Sequence, residues 1–526
     1  MSTDLDARAD RELEIVMQQQ RVTSETAFDP CTHLANAHRI VAHFGNQLLF
    51  VEGIGWHVWG PPWRLDELAT RKIVQGLGAI IAKEAADLAQ WAAAASDSTE
   101  REKRDEVRGK RFKWAGTSES VPCLECSLKM AEPLLACKAE ALDIDPTLLG
   151  LPGRVLELES GTFRPYEPSD RITKTTGTDF DPNATAPRWD QFLNEVFGGD
   201  TALIEYVQRL AGYALCGYRG EHVLPILWGA GANGKSTFLA TLQAALGQYA
   251  SVAAPGLLIQ RGGTDHPTAL ADLQGKRLVV CSETGEGGRL NEEQTKMLTG
   301  GDMLIARRMR QDFYNFRPTH LLILQTNHRP RVTGTDEGVW RRLRLIPFTV
   351  TIPAERRDPR LPDKLRSELP GILAWCWRGW LRYQINAFST PAAVLAATAE
   401  YRQVSDAIGA FLEEICLIDQ RMTASAGDLY RAYTTWCDAT GEYARSQRDF
   451  GIRLAERGFT QTRGTGGVRR WRGVGLREVT QRGGSDPHSG MSGMRELSLK
   501  THTRKTVTSA TDVTAACEYT RAKEGE

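Results

Sequence analysis

Leu224-Pro-Ile-Leu-Trp-Gly-Ala-Gly-Ala-Asn-Gly-Lys-Ser-Thr-Phe238 is the stretch that decides the fold. Leu224, Ile226, Leu227 and Trp228 form an apolar run of strand length. Gly229 to Ser236 match G-x-x-x-x-G-K-[ST] at every fixed position. Phe238 to Leu246 then carry apolar residues at helical spacing. Strand, glycine loop and helix together turn this pattern into a mechanism. The glycines let backbone N–H groups curl around a phosphate, and the helix N-terminus adds partial positive charge. Gly229, Ala230, Gly231, Ala232, Asn233, Gly234, Lys235, Ser236 and Thr237 are therefore the candidate nucleotide-binding residues. Lys235 would reach the terminal phosphates of ATP, and Ser236 would place a hydroxyl on Mg²⁺.

The chain has 526 residues, too many for one core, so about three domains are expected. Hydrophobic residues make up 41% and charged residues 25%, as in ordinary globular proteins. No apolar run reaches membrane-spanning length. The acidic, polar N-terminus does not read as a signal peptide. Of ten cysteines, Cys123 and Cys126 alone form a CxxC, with Cys137 beyond. One such pair is a weak zinc signal, and reduced thiols in a cytoplasmic setting are expected.

Net charge is zero, but its distribution is uneven. Arg445 to Arg477 holds nine arginines against Asp449 and Glu456, and Met303 to Arg331 holds six against Asp312. Local basic patches on a balanced chain suit a polyanion-facing side.

The organisation reads in order. Residues 1–30 are a polar, disordered N-terminus. Residues 31–197 form a mostly helical accessory domain. Within it, Phe50 to Trp63 reads as an aromatic hairpin, Asp66 to Trp91 as one long helix, and 145–189 as strands and turns. Residues 198–400 form the ATPase domain. There Lys276 to Val280 is a buried strand with Glu283 at its tip, where α/β ligand sites lie. Met303 to Phe316 is an arginine-rich hairpin, and His320 to Gln325 is a strand ending at Thr326-Asn327. Residues 406–477 read as three helices followed by two strands, a winged-helix pattern. Residues 478–526 are a disordered tail.

The phosphate loop, the acid-ended strand, the strand ending in Asn327 and Trp340-Arg341-Arg342-Leu343 resemble the landmarks of superfamily 3 helicases. The closest likeness is to the C-terminal half of phage and plasmid primase–helicases, relatives of the poxvirus primase-helicase. Pro146-Thr-Leu-Leu and Tyr166 to Trp189 are similar to that family's lead-in to the motor. The resemblance implies an AAA+-like P-loop ATPase that moves on single-stranded DNA and unwinds forks during phage or plasmid replication in a bacterial cytoplasm. It implies a ring of about six subunits, and Arg341 and Arg342 occupy the arginine-finger position. Lys235, Glu283, Asn327, Arg341 and Arg342 are the implied catalytic residues, with Ser236 and Glu283 at the metal. Glu286 shares the acidic tip with Glu283, and the division of labour between them stays open. Arg307, Arg308 and Arg310 lie where the family places a DNA-gripping hairpin; Arg469 and Arg470, with Trp471 and Arg472, lie on the wing, suited to duplex DNA. With some 30 residues before the accessory region and no acid pair of a primase, priming is expected from a separate primase or polymerase. A motor of the same fold in packaging or defence, or a nucleotide-regulated DNA-binding protein, are the other readings.

Overall fold

The computed structural model describes residues 29–477 apart from 219, 261–267, 284–287, 310–311, 333–336 and 465–466. The chain divides into two compact units, one ending at Asp406 and one beginning at Ala407. The expected disordered ends lie almost wholly outside the described residues.

The first unit opens with helix α1 (His33–Phe44), capped by Thr32, whose hydroxyl accepts from the Ala35 N–H at 3.2 Å. A meander follows: β1 (Leu48–Val51), β2 (Gly55–Trp59) and β3 (Trp63–Leu65). Its aromatics pack on one another, Phe50 against Trp56 at 5.2 Å and Trp59 against Trp63 at 5.1 Å. The expected helix after Asp66 is two helices, α2 (Glu67–Val74) and α3 (Leu77–Ala93). The break falls at Gln75-Gly76, where glycine's low helix propensity weakens the run. Charge-dense α4 (Ser98–Ser118) lies alongside α3, and α5 (Val121–Ala131) follows. Between them Glu84 is fully buried, bonded by Arg39 at 2.8 and 2.9 Å and paired with Arg111 at 3.3 Å. A carboxylate there is tolerable because two guanidiniums meet it.

Strand β4 (Ala136–Cys137) adds to β1 in parallel, giving the sheet order β3-β2-β1-β4. Next come β5 (Leu148–Leu151), β6 (Arg154–Glu157) and β7 (Phe163–Arg164), an antiparallel sheet in the stretch read as strands and turns. Helices α6 (Pro187–Phe197) and α7 (Thr201–Leu215) lead to β8 (Leu224–Trp228).

From β8 on, the chain builds a parallel sheet. Helix α8 (Lys235–Leu246), β9 (Ala250–Val252), short α9 (Thr268–Ala271), β10 (Leu278–Glu283) and α10 (Glu292–Thr299) come first. The hairpin β11 (Leu304–Arg307) and β12 (Phe313–Phe316) interrupts, then β13 (Leu321–Thr326), the single turn α11 (Glu337–Trp340) and β14 (Leu343–Pro347) complete it. Strand order is β14-β8-β13-β10-β9, with every pairing parallel. Alternate residues feed opposite faces, as the strand period requires. Leu227, Val280, Ile323 and Ile346 join one core; Ile226, Val279, Leu324 and Leu345 join the other. Both faces are covered, which is why these strands read as unbroken apolar runs.

Helices α12 (Leu361–Ser367), α13 (Leu369–Asn386) and α14 (Ala392–Val404) close the unit. The centre of the first core is Trp189, fully buried, stacked on Phe238 at 5.5 Å and edge-on to Trp375 at 5.4 Å. It fastens α6 and α13 to α8, the helix that follows the glycine loop. Trp189→Ala should therefore cost about 3–5 kcal/mol, read as a drop in the denaturant midpoint; a loss under about 1 kcal/mol would contradict this placement.

The second unit contains α15 (Ala407–Ile415), β15 (Cys416–Ser425), α16 (Ala426–Thr440), α17 (Gln447–Glu456), β16 (Thr460–Arg463) and β17 (Arg469–Leu476). Three helices and two late strands match the sequence reading. Strand β15 was not foreseen: its burial pattern is almost wholly exposed, so no alternation marks it, and pairing with β17 is what makes it a strand. Among the described residues no helix is long and apolar enough to cross a membrane.

Candidate functional site

Strand β8 is hydrogen-bonded on both sides, by β13 and by β14, and runs straight into Gly229. The loop beyond has a packed floor and an open rim. On the floor, a Cβ at Gly229 would come within 2.1 Å of the Phe348 carbonyl oxygen. Gly234 adopts φ +84°, and a Cβ there would meet Val196 at 2.5 Å. Only glycine suits both positions. Asn233 pins the loop, donating to the Ala230 carbonyl and to that of Phe348 at 3.0 Å. On the rim, Ala230, Gly231, Ala232 and Ser236 are exposed, and nothing lies within 4 Å of a Cβ built on Gly231.

Helix α8 starts at Lys235 with no side-chain cap on Gly234. Its first N–H groups and the positive end of its dipole therefore need a partner from elsewhere. Lys235 is 3% exposed, and its ammonium donates to Gly229 O at 2.7 Å, Ala230 O at 3.3 Å and Asn233 Oδ1 at 3.0 Å. Burial lowers its pKa from the ordinary lysine value.

Strand register brings the other candidates to the same edge. Trp228, Thr326 and Glu283 are level across β8, β13 and β10. Asn327, one residue past Thr326, is exposed beside the loop's entry. Glu283 is placed by its backbone at the β10 tip; its side chain, Glu286 and Arg310 lie outside the described residues. One group that the sequence reading missed belongs here: Gln325 donates from Nε2 to Ser236 Oγ at 2.7 Å. An amide in the otherwise apolar run HLLILQ, one step from a strand tip, was the available signal. Arg329 also stands 4.0 Å over the Trp228 ring and pairs with Glu400 at 2.9 Å.

Arg341 and Arg342 separate. Arg342 is 7% exposed, and its guanidinium donates inward, to Thr299 Oγ1 at 3.2 Å and to the Gly338 carbonyl. It cannot reach out of its own chain without breaking these bonds, which corrects the pairing of the two as fingers. Arg341 is exposed. Both precede Leu343, which is level with Leu224 at the start of β8, the edge opposite the loop. Five strand residues separate those edges, about 16 Å.

The basic candidates also sort. Arg307 lies over Phe313 at 4.9 Å on a hairpin that exposes Ile305, Met309 and Phe313. Arg308 does not project outward: its Nε is buried and its side chain faces a cavity within its own unit, against the expectation of a free DNA contact. Arg469, Arg470 and Arg472 are exposed on β17. Trp471 between them is 4% exposed and packs in the core of the second unit, so the strand's alternation removes it from the basic face.

A family model described as D5 N-terminal-like matches residues 37–198. Curated relatives named "putative helicase" come from Acanthamoeba polyphaga mimivirus, 27% identical over 56% of this chain, and from Frog virus 3, 25% identical over 49%. Residues 37–198 are thus similar to the D5 N-terminal-like family. The stretches matched span 33% and 29% of those two relatives, about a third of their length. A second model, described as a family of unknown function (DUF5906), matches residues 227–342, the span of the glycine loop and the strand tips. Among solved structures, the apo C-terminal region of NrS-1 is similar at 12% identity and TM-score 0.40, covering 65% of this chain and 86% of that one.

Proposed function

We propose that this chain is an ATP-dependent DNA helicase of replication, of the superfamily 3 type, working as a ring. The observation that carries the reading is the loop: an uncapped helix N-terminus, an open rim, a buried lysine and a serine hydroxyl converge at the tips of parallel strands. That donor set fits a triphosphate. Lys235 would exchange three neutral oxygens for anionic ones, which makes stronger bonds. Ser236, held by Gln325, would be a ligand to Mg²⁺, with Glu283 completing the metal side. Mg²⁺, when bound, supplies charge against the β- and γ-phosphates. Asn327 would orient the attacking water. Arg341 lies too far from its own loop, so its proposed target is the nucleotide of the neighbouring subunit. The names of the relatives and the D5 N-terminal-like match support the helicase reading over other uses of this fold. The exposed arginines of β17 and the three helices before them suit a winged-helix contact with duplex DNA.

Strand displacement on a forked duplex with purified protein and Mg-ATP tests the proposal. Unwinding that requires hydrolysable ATP is expected. ATP turnover without displacement would move the chain to another DNA transaction, such as packaging or defence. Absence of turnover in the wild type would leave a nucleotide-regulated DNA-binding protein.

A further inference from the structure

A second site lies at the opposite edge of the parallel sheet. A cavity of about 300 Å³ opens there, lined from one side by residues of the first 175 and from the other by motor residues. Gln248 and Lys276 in its wall stand just before β9 and β10, at the strand starts. Ile54, Leu65 and Leu142 supply an apolar wall; Lys174, Lys276 and Arg308 supply a cationic one.

The cationic wall is built, not incidental. Asp143, 5% exposed, accepts from the Thr173 N–H at 2.8 Å and from Lys174 Nζ at 3.0 Å. Gly275 (φ +65°) lies against that pair, and a Cβ there would come within 2.3 Å of Lys174 Nζ. Lys276 Nζ donates to the Gln248 carbonyl at 2.7 Å, which fixes its position without neutralising it. Burial, and then the charge of Lys174, lower its pKa. His57, 4% exposed, sets Nδ1 3.1 Å from the Gly55 carbonyl. Burial and the nearby Lys174 and Arg308 push its pKa down to about 4, so the ring is neutral near pH 7. The carboxylates in the lining are Asp143, spent on Lys174, and exposed Asp272. Lys276 and Arg308 therefore face a half-enclosed space with one opposing charge between them. Gathering like charges in a partly desolvated site is unfavourable until an anion enters.

We propose that this cavity binds a phosphate-bearing ligand of mononucleotide size, its phosphate on Lys276 and Arg308 and its body against the apolar wall. A free nucleotide and the terminal nucleotide of a DNA strand share that chemistry. Arg308 directly follows β11, so the bound ligand also tethers the hairpin to the N-terminal region.

Calorimetric titration tests this in Lys235→Ala, where the glycine loop is disabled, against Lys235→Ala/Lys276→Gln/Arg308→Gln. The probes are inorganic phosphate, dTMP, deoxythymidine and an eight-nucleotide oligo-dT. Using the loop variant as background separates failure here from failure of the ATPase reading. dTMP or the oligonucleotide should bind the first protein at least tenfold more tightly than the second, and deoxythymidine should bind neither. A preference for dTMP and phosphate assigns a free nucleotide; oligo-dT alone assigns a DNA end. Equal affinity in the two proteins, no binding to the first, or binding of deoxythymidine as tight as dTMP would overturn the proposal. Lys276→Gln alone, at a half-exposed position, serves if the double change alters the melting profile.

Discussion

Lys235→Ala should lower ATP turnover on the order of a hundred- to a thousandfold or more while the protein stays folded. The ammonium is the one charged donor of the loop, and it is already sequestered with three oxygens of the loop itself. Its removal would delete the charge that the proposed ATP site offers the terminal phosphates. The structural cost is smaller. Three neutral acceptors lose a partner, about 1–3 kcal/mol in total, and Asn233 still pins the loop to Phe348. Steady-state ATPase assays alongside a melting curve separate the two effects. Turnover near the wild-type rate would remove the nucleotide site from this loop.

Arg341→Ala and Arg342→Ala should behave differently, and the difference is the second large effect. Arg341 is exposed, so its loss should leave stability unchanged and nucleotide binding intact. Hydrolysis should fall on the order of a thousandfold, because a finger acts on charge that develops only in the transition state. Arg342 holds Thr299 and Gly338 within its own chain, so its loss should lower the melting temperature and activity together. Mixing Arg341→Ala with Lys235→Ala subunits should restore part of the ATPase, since an interface pairing an intact loop with an intact finger can form. No recovery on mixing, with both variants assembled, would count against a contact between subunits.

Much of the parallel-sheet region was legible in the sequence because its signals are local. Gly229, Gly234, Lys235 and Ser236 fall within eight residues of chain, so the motif shows in the sequence even though the close approaches to Phe348 and Val196 do not. The parallel strands announced themselves as apolar runs because both faces are covered. The hairpin, the three helices and the late strands of 407–477 followed from periodicity. What was not legible depended on partners far away in the chain. Gln325 meets Ser236 across 89 positions. Arg308 lines a cavity with Asp143 and Lys174, which come from the N-terminal region more than 130 positions earlier. Strand β15 exists because β17 pairs with it, and the break at Gly76 cut a helix whose amphipathic pattern ran on.

The sequence by itself determined that a loop able to cradle phosphate sits between a strand and a helix, and that an acid and an amide end two further strands. Tertiary structure alone decided that these tips are level with one another, and that of two adjacent arginines one is exposed and the other is spent inside. It also decided the helix ends: α6 has no cap in its own sequence, and the Glu368 carboxylate accepts from the N–H groups of Arg188 and Trp189 at 3.0 and 2.9 Å. The reason is common to all three. Backbone preference acts over a few residues, whereas the pairing of polar groups is settled by whichever partners the packed core brings within hydrogen-bond reach.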